Sequence, residues 1–150
     1  MADKLGIALV GCGFMGRRHI LGYSSLKKAG MLDATIVALM DINGEVAEKV
    51  ALEAEELLGH KPNVYTSLDA LLADPDVQAI DIVTEPKTHH NIANTAMNAG
   101  RHVLCEKPLA LTVKTGMSMV DCAKKNGVVL ATAENYRRGG QNRLAKAVID

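Results

Sequence analysis

Neither sign of charge is in excess in this chain. Its 150 residues carry 17 Lys and Arg against 17 Asp and Glu, with no basic block. Nucleic acids and anionic membranes are therefore not its expected partners, because both need a positive footprint. Long apolar runs are missing as well. No stretch approaches the roughly 20 residues that cross a bilayer, and the apolar run near the N-terminus is too short for a signal peptide. The three cysteines, Cys12, Cys105 and Cys122, are odd in number and form no C-x-x-C pair. That pattern fits a reducing compartment, and a cytoplasmic location is expected. No His/Cys set has metal-ligand spacing, since adjacent His89 and His90 would diverge on a helix. Repeats, low-complexity segments and long linkers are also lacking. What remains is ordinary globular composition, 48% hydrophobic and 23% charged, in a chain of single-domain size.

The most informative stretch is the turn after the first apolar run. Ile7, Ala8, Leu9 and Val10 read as a buried strand, and Gly11, Gly13 and Gly16 follow with the spacing G-x-G-x-x-G. In a dinucleotide site each glycine has its own task. Gly11 permits the tight turn, Gly13 lets the backbone approach a pyrophosphate, and Gly16 lets the new helix pack closely on the sheet. Phe14 and Met15 lie between them at the helix start, where free N–H groups and the helix dipole favour phosphate. The expected inner face of this helix is Ile20, Leu21, Tyr23 and Leu26. A second strand, Thr35 to Met40, ends in Asp41, placed to accept hydrogen bonds from a ribose. Cys12, inside the loop, reads as a small filler and not as a nucleophile.

Strand-like and helix-like stretches then alternate. A helical run over 44–58 stops at Gly59, Val64 and Tyr65 make a short strand, and Ser67 opens a short helix that stops near Asp74-Pro75. Ala79 to Val83 is a strand, followed by a helix from His89 to Ala99. The fifth strand is His102 to Cys105, and a helix from Thr112 to Lys125 leads to a sixth, Val128 to Thr132. Asn142 to Ile149 is helical again. This alternation predicts an α/β fold, a doubly wound parallel sheet of six strands in the order 3-2-1-4-5-6, with ligand at the strands' carboxyl ends.

Two further stretches carry chemistry. One runs Thr84-Glu-Pro-Lys-Thr-His89-His-Asn-Ile-Ala, and the other runs Ala99-Gly-Arg-His-Val-Leu-Cys-Glu106-Lys107-Pro108. With G-x-G-x-x-G-x-x-H, Gly11 to His19, they closely resemble the Gfo/Idh/MocA family of oxidoreductases, whose members act on sugars and polyols. The resemblance covers essentially the whole chain. It implies a Rossmann domain that binds NAD(P), with Glu106, Lys107 and Pro108 at the end of the fifth strand beside the nicotinamide. It also implies a Lys107–Pro108 bond that is often cis. Thr84 and Pro86 would lie on the cofactor's path; the family has Thr-Pro directly, whereas Glu85 intervenes here. His89 would start a helix near the cofactor, and His19 is expected to pack. Asn135-Tyr136-Arg137-Arg138 resembles the family's segment bordering the active site, which makes Tyr136 and Arg137 candidates.

The implied reaction is hydride transfer between a carbinol carbon and the nicotinamide ring. Lys107 is the catalytic candidate, as proton relay or hydrogen-bond donor to the reacting oxygen. Its ordinary pKa near 10.4 is high for a base, and burial would lower it. Asp41 would repel a 2′-phosphate, and neither Ile42 nor Asn43 offsets that, so NAD is expected over NADP. The family also has a C-terminal α/β domain with an acid/base histidine in an Asp-x-x-x-His pattern. This sequence contains no such segment, so the expectation is a cofactor domain from a longer two-domain protein, able to bind NAD without turnover. A homo-oligomer is compatible with a surface that would otherwise pack on the second domain. The alternative reading is a non-catalytic, NAD-responsive regulatory module on the same fold.

Overall fold

The computed structural model describes residues 4–150. Six strands, β1 (Leu5–Val10), β2 (Ala34–Met40), β3 (Asn63–Tyr65), β4 (Ala79–Ile82), β5 (His102–Cys105) and β6 (Leu130–Thr132), form one sheet. All pairs are parallel, and the order is β3-β2-β1-β4-β5-β6. The connecting helices are α1 (Phe14–Lys28), α2 (Gly44–Leu58), α3 (Leu68–Leu72), α4 (His89–Asn98) and α5 (Val113–Asn126). A 3-10 turn (Asn135–Arg138) and α6 (Gly140–Ile149) follow β6. This is the doubly wound order expected from the alternation of strands and helices.

Strand periodicity fills a core on each side of the sheet. Ile7 and Leu9 of β1 face α1 and α2 with Ile20, Val50 and Ala54. Ala8 and Val10 face the other way, toward Leu71, Ala93, Met97 and Met119. One irregularity interrupts the β1–β2 ladder. Ile7 pairs with Ile36 but Ala8 pairs with Ala38, so Val37 is an extra residue, a β-bulge.

Two expectations need correction. The inner face of α1 is Gly16, Ile20 and Ser24, whereas Leu21 and Leu26 are 51% and 41% exposed. Small residues bring this helix too close to its neighbours for a leucine face, and the Ser24 hydroxyl donates to the Leu57 carbonyl of α2. Strand β6 also starts late. The Val129 N–H donates to the His102 ring instead of to a ladder partner, which leaves three residues paired as strand.

Helix caps divide into two groups. The Asn43 side chain accepts from the N–H groups of Glu45 and Val46 on α2, Ser67 caps α3, and Thr112 forms a reciprocal capping box with Thr115 on α5. By contrast, α1 and α4 start at Gly13 and Thr88 with no side-chain cap. Losing the Thr112 cap frees the end of a helix that follows β5 and does not line the cleft at the glycine loop. Thr112→Ala is expected to lower unfolding stability by about 1 kcal/mol in urea denaturation, without changing ligand affinity at that loop.

Candidate functional site

The carboxyl ends of β1, β2 and β4 open onto a cleft of about 770 Å³, within the usual size range of ligand sites. It lies where the chain's connections diverge to opposite sides of the sheet, the usual ligand crevice of such folds. Gly11, Gly13, Phe14 and Met15 form one wall, Asp41 and Ile42 the second, and Thr84 to Thr88 the third.

Each glycine is placed differently. Gly11 has φ +105, and a Cβ there would stand 3.0 Å from the Val83 backbone, so only glycine turns here without strain. At Gly16 a Cβ would stand 2.2 Å from the Gly11 carbonyl oxygen. At Gly13 a Cβ would meet no atom of the described residues within 4 Å. Space is thus left over Gly13 beside an uncapped helix start with no acidic residue in its first turn. Such a place suits a diphosphate.

Asp41 is held rigidly at the rim. Its Oδ2 accepts from the Cys12 N–H at 2.8 Å, and its Oδ1 accepts from the Asn43 N–H at 2.9 Å. Arg17 stands near this loop and was not a sequence candidate. Its guanidinium donates to Glu53 at 2.7 Å and to the Cys12 carbonyl at 3.1 Å. On the opposite wall, the Thr88 hydroxyl donates to the Glu85 carbonyl. Thr84 therefore donates to Thr88, at 2.8 Å. The intervening Glu85 is accommodated in that turn and pairs with Lys87 at the surface, at 2.6 Å.

The remaining candidates lie apart from the cleft walls. His89 is completely buried, its two ring nitrogens facing the carbonyl oxygens of Pro108 (3.0 Å) and Thr84 (3.1 Å). It ties the start of α4 to the turn after β5. Glu106, Lys107 and Pro108 form that turn, with a cis Lys107–Pro108 bond. Lys107 is exposed, contrary to the burial expected of it, and its N–H donates to Glu106 Oε2 at 2.7 Å. Tyr136 and Arg137 are exposed on the 3-10 turn. Their segment borders a second hollow lined by Thr132, Glu134, Arg137, Arg138 and Arg143.

His19 departs furthest from expectation. It does not simply pack: Nδ1 lies 2.8 Å from Asp81 Oδ2 and Nε2 3.3 Å from Glu106 Oε1. Asp81 is completely buried in β4, and the Tyr23 hydroxyl donates to the same Oδ2 at 2.9 Å. The Asp81 hydrogen bond, followed by the other carboxylate contacts, raises the His19 pKa against the opposing effect of burial. Sequence reasoning also missed Met40, Ile42, Val83, Thr88 and Ile92 on the cleft. All but Thr88 and Ile92 stand at or just past the end of β2 or β4, a position that predicted strand ends would have indicated.

A model of the family described as an oxidoreductase family with an NAD-binding Rossmann fold, Gfo/Idh/MocA, matches residues 5–134. The chain belongs to this family. Levoglucosan dehydrogenase of Pseudarthrobacter phenanthrenivorans is 34% identical over 99% of the chain and 37% of its own length. Inositol 2-dehydrogenase of Pseudomonas savastanoi pv. phaseolicola is 35% identical over 100% of the chain and 42% of its own length. The fold superimposes on levoglucosan dehydrogenase in complex with NADH and levoglucosan (TM-score 0.81, 34% identity, 97% of this chain, 39% of that one). It likewise matches the WlbA dehydrogenase of Bordetella pertussis in complex with NADH and UDP-GlcNAcA (TM-score 0.81, 31% identity, 97% and 42%). The chain thus spans roughly two-fifths of the length of these relatives. Among the described residues no helix is long and apolar enough to cross a membrane.

The thiols at the site are chemically quiet. Burial, then the Asp41 charge, pushes Cys12 up to about 12 against a smaller opposing effect of Arg17. Burial, then Asp81 and Glu106, pushes Cys105 up to about 12. Thiolate is the reactive form, so a maleimide at pH 7.5 is expected to label only half-exposed Cys122 in the native chain and all three cysteines in denaturant. Native labelling of Cys12 by mass spectrometry would contradict the filler role.

Proposed function

We propose that this chain is the cofactor-binding domain of a dehydrogenase acting on a hydroxyl-bearing carbon of a sugar, polyol or related compound, and that it prefers NAD to NADP. The observation that carries the proposal is the cleft itself: the free face of Gly13, the uncapped start of α1 and the fixed Asp41 carboxylate converge on one space. The resemblance to levoglucosan and inositol dehydrogenases supports the substrate class.

The nicotinamide cofactor supplies the hydride chemistry when bound; the protein supplies binding and orientation. The free N–H groups of Gly13, Phe14 and Met15 at the start of α1 would hold the diphosphate beside the turn made by Gly11, whose own N–H donates to the Met40 carbonyl. Asp41 keeps lone pairs for ribose hydroxyls while its two backbone contacts fix its orientation. Thr84 and Pro86 shape the opposite wall. Glu106, Lys107 and Pro108 follow at the end of the neighbouring strand, with His89 buttressing Pro108 from behind. Lys107 is the proton relay or hydrogen-bond donor to the reacting oxygen. The matched part of the relatives is their cofactor-binding end, so this chain alone binds NAD and turns over little or nothing.

The cofactor preference has an electrostatic basis. Two like charges about 4 Å apart near a surface repel by roughly 4 kcal/mol, and Asp41 would meet a 2′-phosphate at such a range. Arg17, a nearby cation, is engaged by Glu53 and the Cys12 carbonyl. Calorimetric titration is expected to give NAD a Kd at least about tenfold below that of NADP, with Asp41→Ala narrowing the gap through weaker NAD binding. Equal affinities in the parent chain would sink the preference. No heat and no thermal stabilisation by either nucleotide would sink the cofactor assignment.

A further inference from the structure

Asp81, His19 and Glu106 form a buried chain of charge that links the glycine loop's helix to the turn bearing Lys107. Asp81 lies in β4, and Glu106 lies just past the end of the neighbouring strand β5, on the same face of the sheet. Asp81 is level with Leu104, and Glu106 stands two residues further on. His19 bridges them from α1 with one ring nitrogen on each carboxylate. A neutral imidazole has one N–H and one lone pair. In either neutral tautomer the lone pair would face a carboxylate oxygen, so both contacts are satisfied only by the doubly protonated ring.

The surroundings agree with that state. Asp81 Oδ1 is buried with no hydrogen-bond partner among the described residues, which leaves Oδ2, shared by His19 and Tyr23, as its point of compensation. From β5, Cys105 remains an uncharged thiol. From α2, Glu53 is occupied by Arg17. Tyr23, on the same helix as His19, is held in the neutral phenol form by burial and by Asp81. One imidazolium therefore stands against two carboxylates. The second oxygen of Glu106 accepts the Lys107 N–H, so the far end of the chain of contacts is the backbone of the Lys107 turn.

We propose that His19 is a positioning residue, an imidazolium clamp between α1 and the Glu106–Lys107–Pro108 turn, whose loss of a proton loosens that turn and weakens cofactor binding. The clamp itself stands on the geometry; its effect on the cofactor rests on the reading of the cleft as an NAD site. The direction of the pH dependence follows from linkage. His19 has its pKa raised in the folded chain, so the stabilisation is complete below the ordinary histidine value of about 6.5 and is lost as pH rises through the raised value.

The test is a titration of the isotope-labelled chain from pH 5.5 to 10, following the His19 ring nitrogens and the Lys107 amide by NMR, with NAD affinity measured across the same range. The expected result is that both His19 nitrogens are protonated at pH 7, with a midpoint above the ordinary histidine value of about 6.5. The Lys107 amide should shift with that same midpoint, and the NAD Kd should rise several-fold across it. In E106Q the midpoint should fall and the Lys107 amide should no longer follow it. A neutral His19 tautomer at pH 7, or a Lys107 amide indifferent to its titration, would overturn the clamp. An NAD affinity that stays flat through the midpoint would overturn its role in binding. If NAD bound at no pH, the cofactor reading would fall, and the two NMR signals would still decide the clamp. The parent chain alone gives these readings even if E106Q does not fold.

Discussion

The first helix rests on the first strand through a contact made by backbone alone. Gly16 comes so near the Gly11 carbonyl that a Cβ there would stand 2.2 Å away, which no other residue could tolerate without moving the helix. Much else follows from that closeness. It sets the start of α1, with its uncapped N–H groups, at the floor of the cleft. It also lowers His19 and Tyr23 onto the carboxylate faces of β4 and β5. Side chains that would stand between a more distant helix and the sheet, such as Leu21 and Leu26, are left facing solvent.

Asp81 is the opposite kind of constraint, a charge in a place that favours hydrocarbon. Its neighbours in β4, Ile80 and Ile82, are fully buried, as is Asp81 itself. A buried ion pair adds little net stability over a well-packed apolar substitute, but stripping one partner from it costs about 3–5 kcal/mol. His19 and Tyr23 are therefore tied to Asp81 more tightly than their exposure alone would suggest. The same pairing reaches Glu106, which ties α1 to the turn after β5 as well as to β4.

Features carried by neighbouring residues were legible in the sequence. The glycine loop, the apolar strand runs, Asp41 at a strand end and the glycine stop at Gly59 all follow from local geometry, and the strand order follows from the alternation of element types. What was not legible depends on distance along the chain. His19 meets Asp81 across 62 positions and Glu106 across 87, and neither separation has a periodic signature. The role of His89 was half legible: its place at a helix start was clear, but its burial behind Pro108 required the packed fold. The exposure of Lys107 could not be read from composition, because a lysine after a strand is equally compatible with a cleft and with the surface.

The extra residue at Val37 sets the count along β2. Up to Ile36, β2 marches in step with β1; after it, the chain runs one place ahead, so Ala38 and not Val37 stands beside Ala8. Asp41 consequently arrives opposite Gly11, where its carboxylate meets the Cys12 N–H. Were Val37 to pair with Ala8 instead, with no bulge, every later position in the strand would slip by about 3.3 Å and turn to the other face of the sheet. The place of the aspartate at the cleft is thus set by how the strand pairs at Val37 as much as by its own identity. A strand of the same length paired without the bulge would spell the same motif and point it at the wrong side.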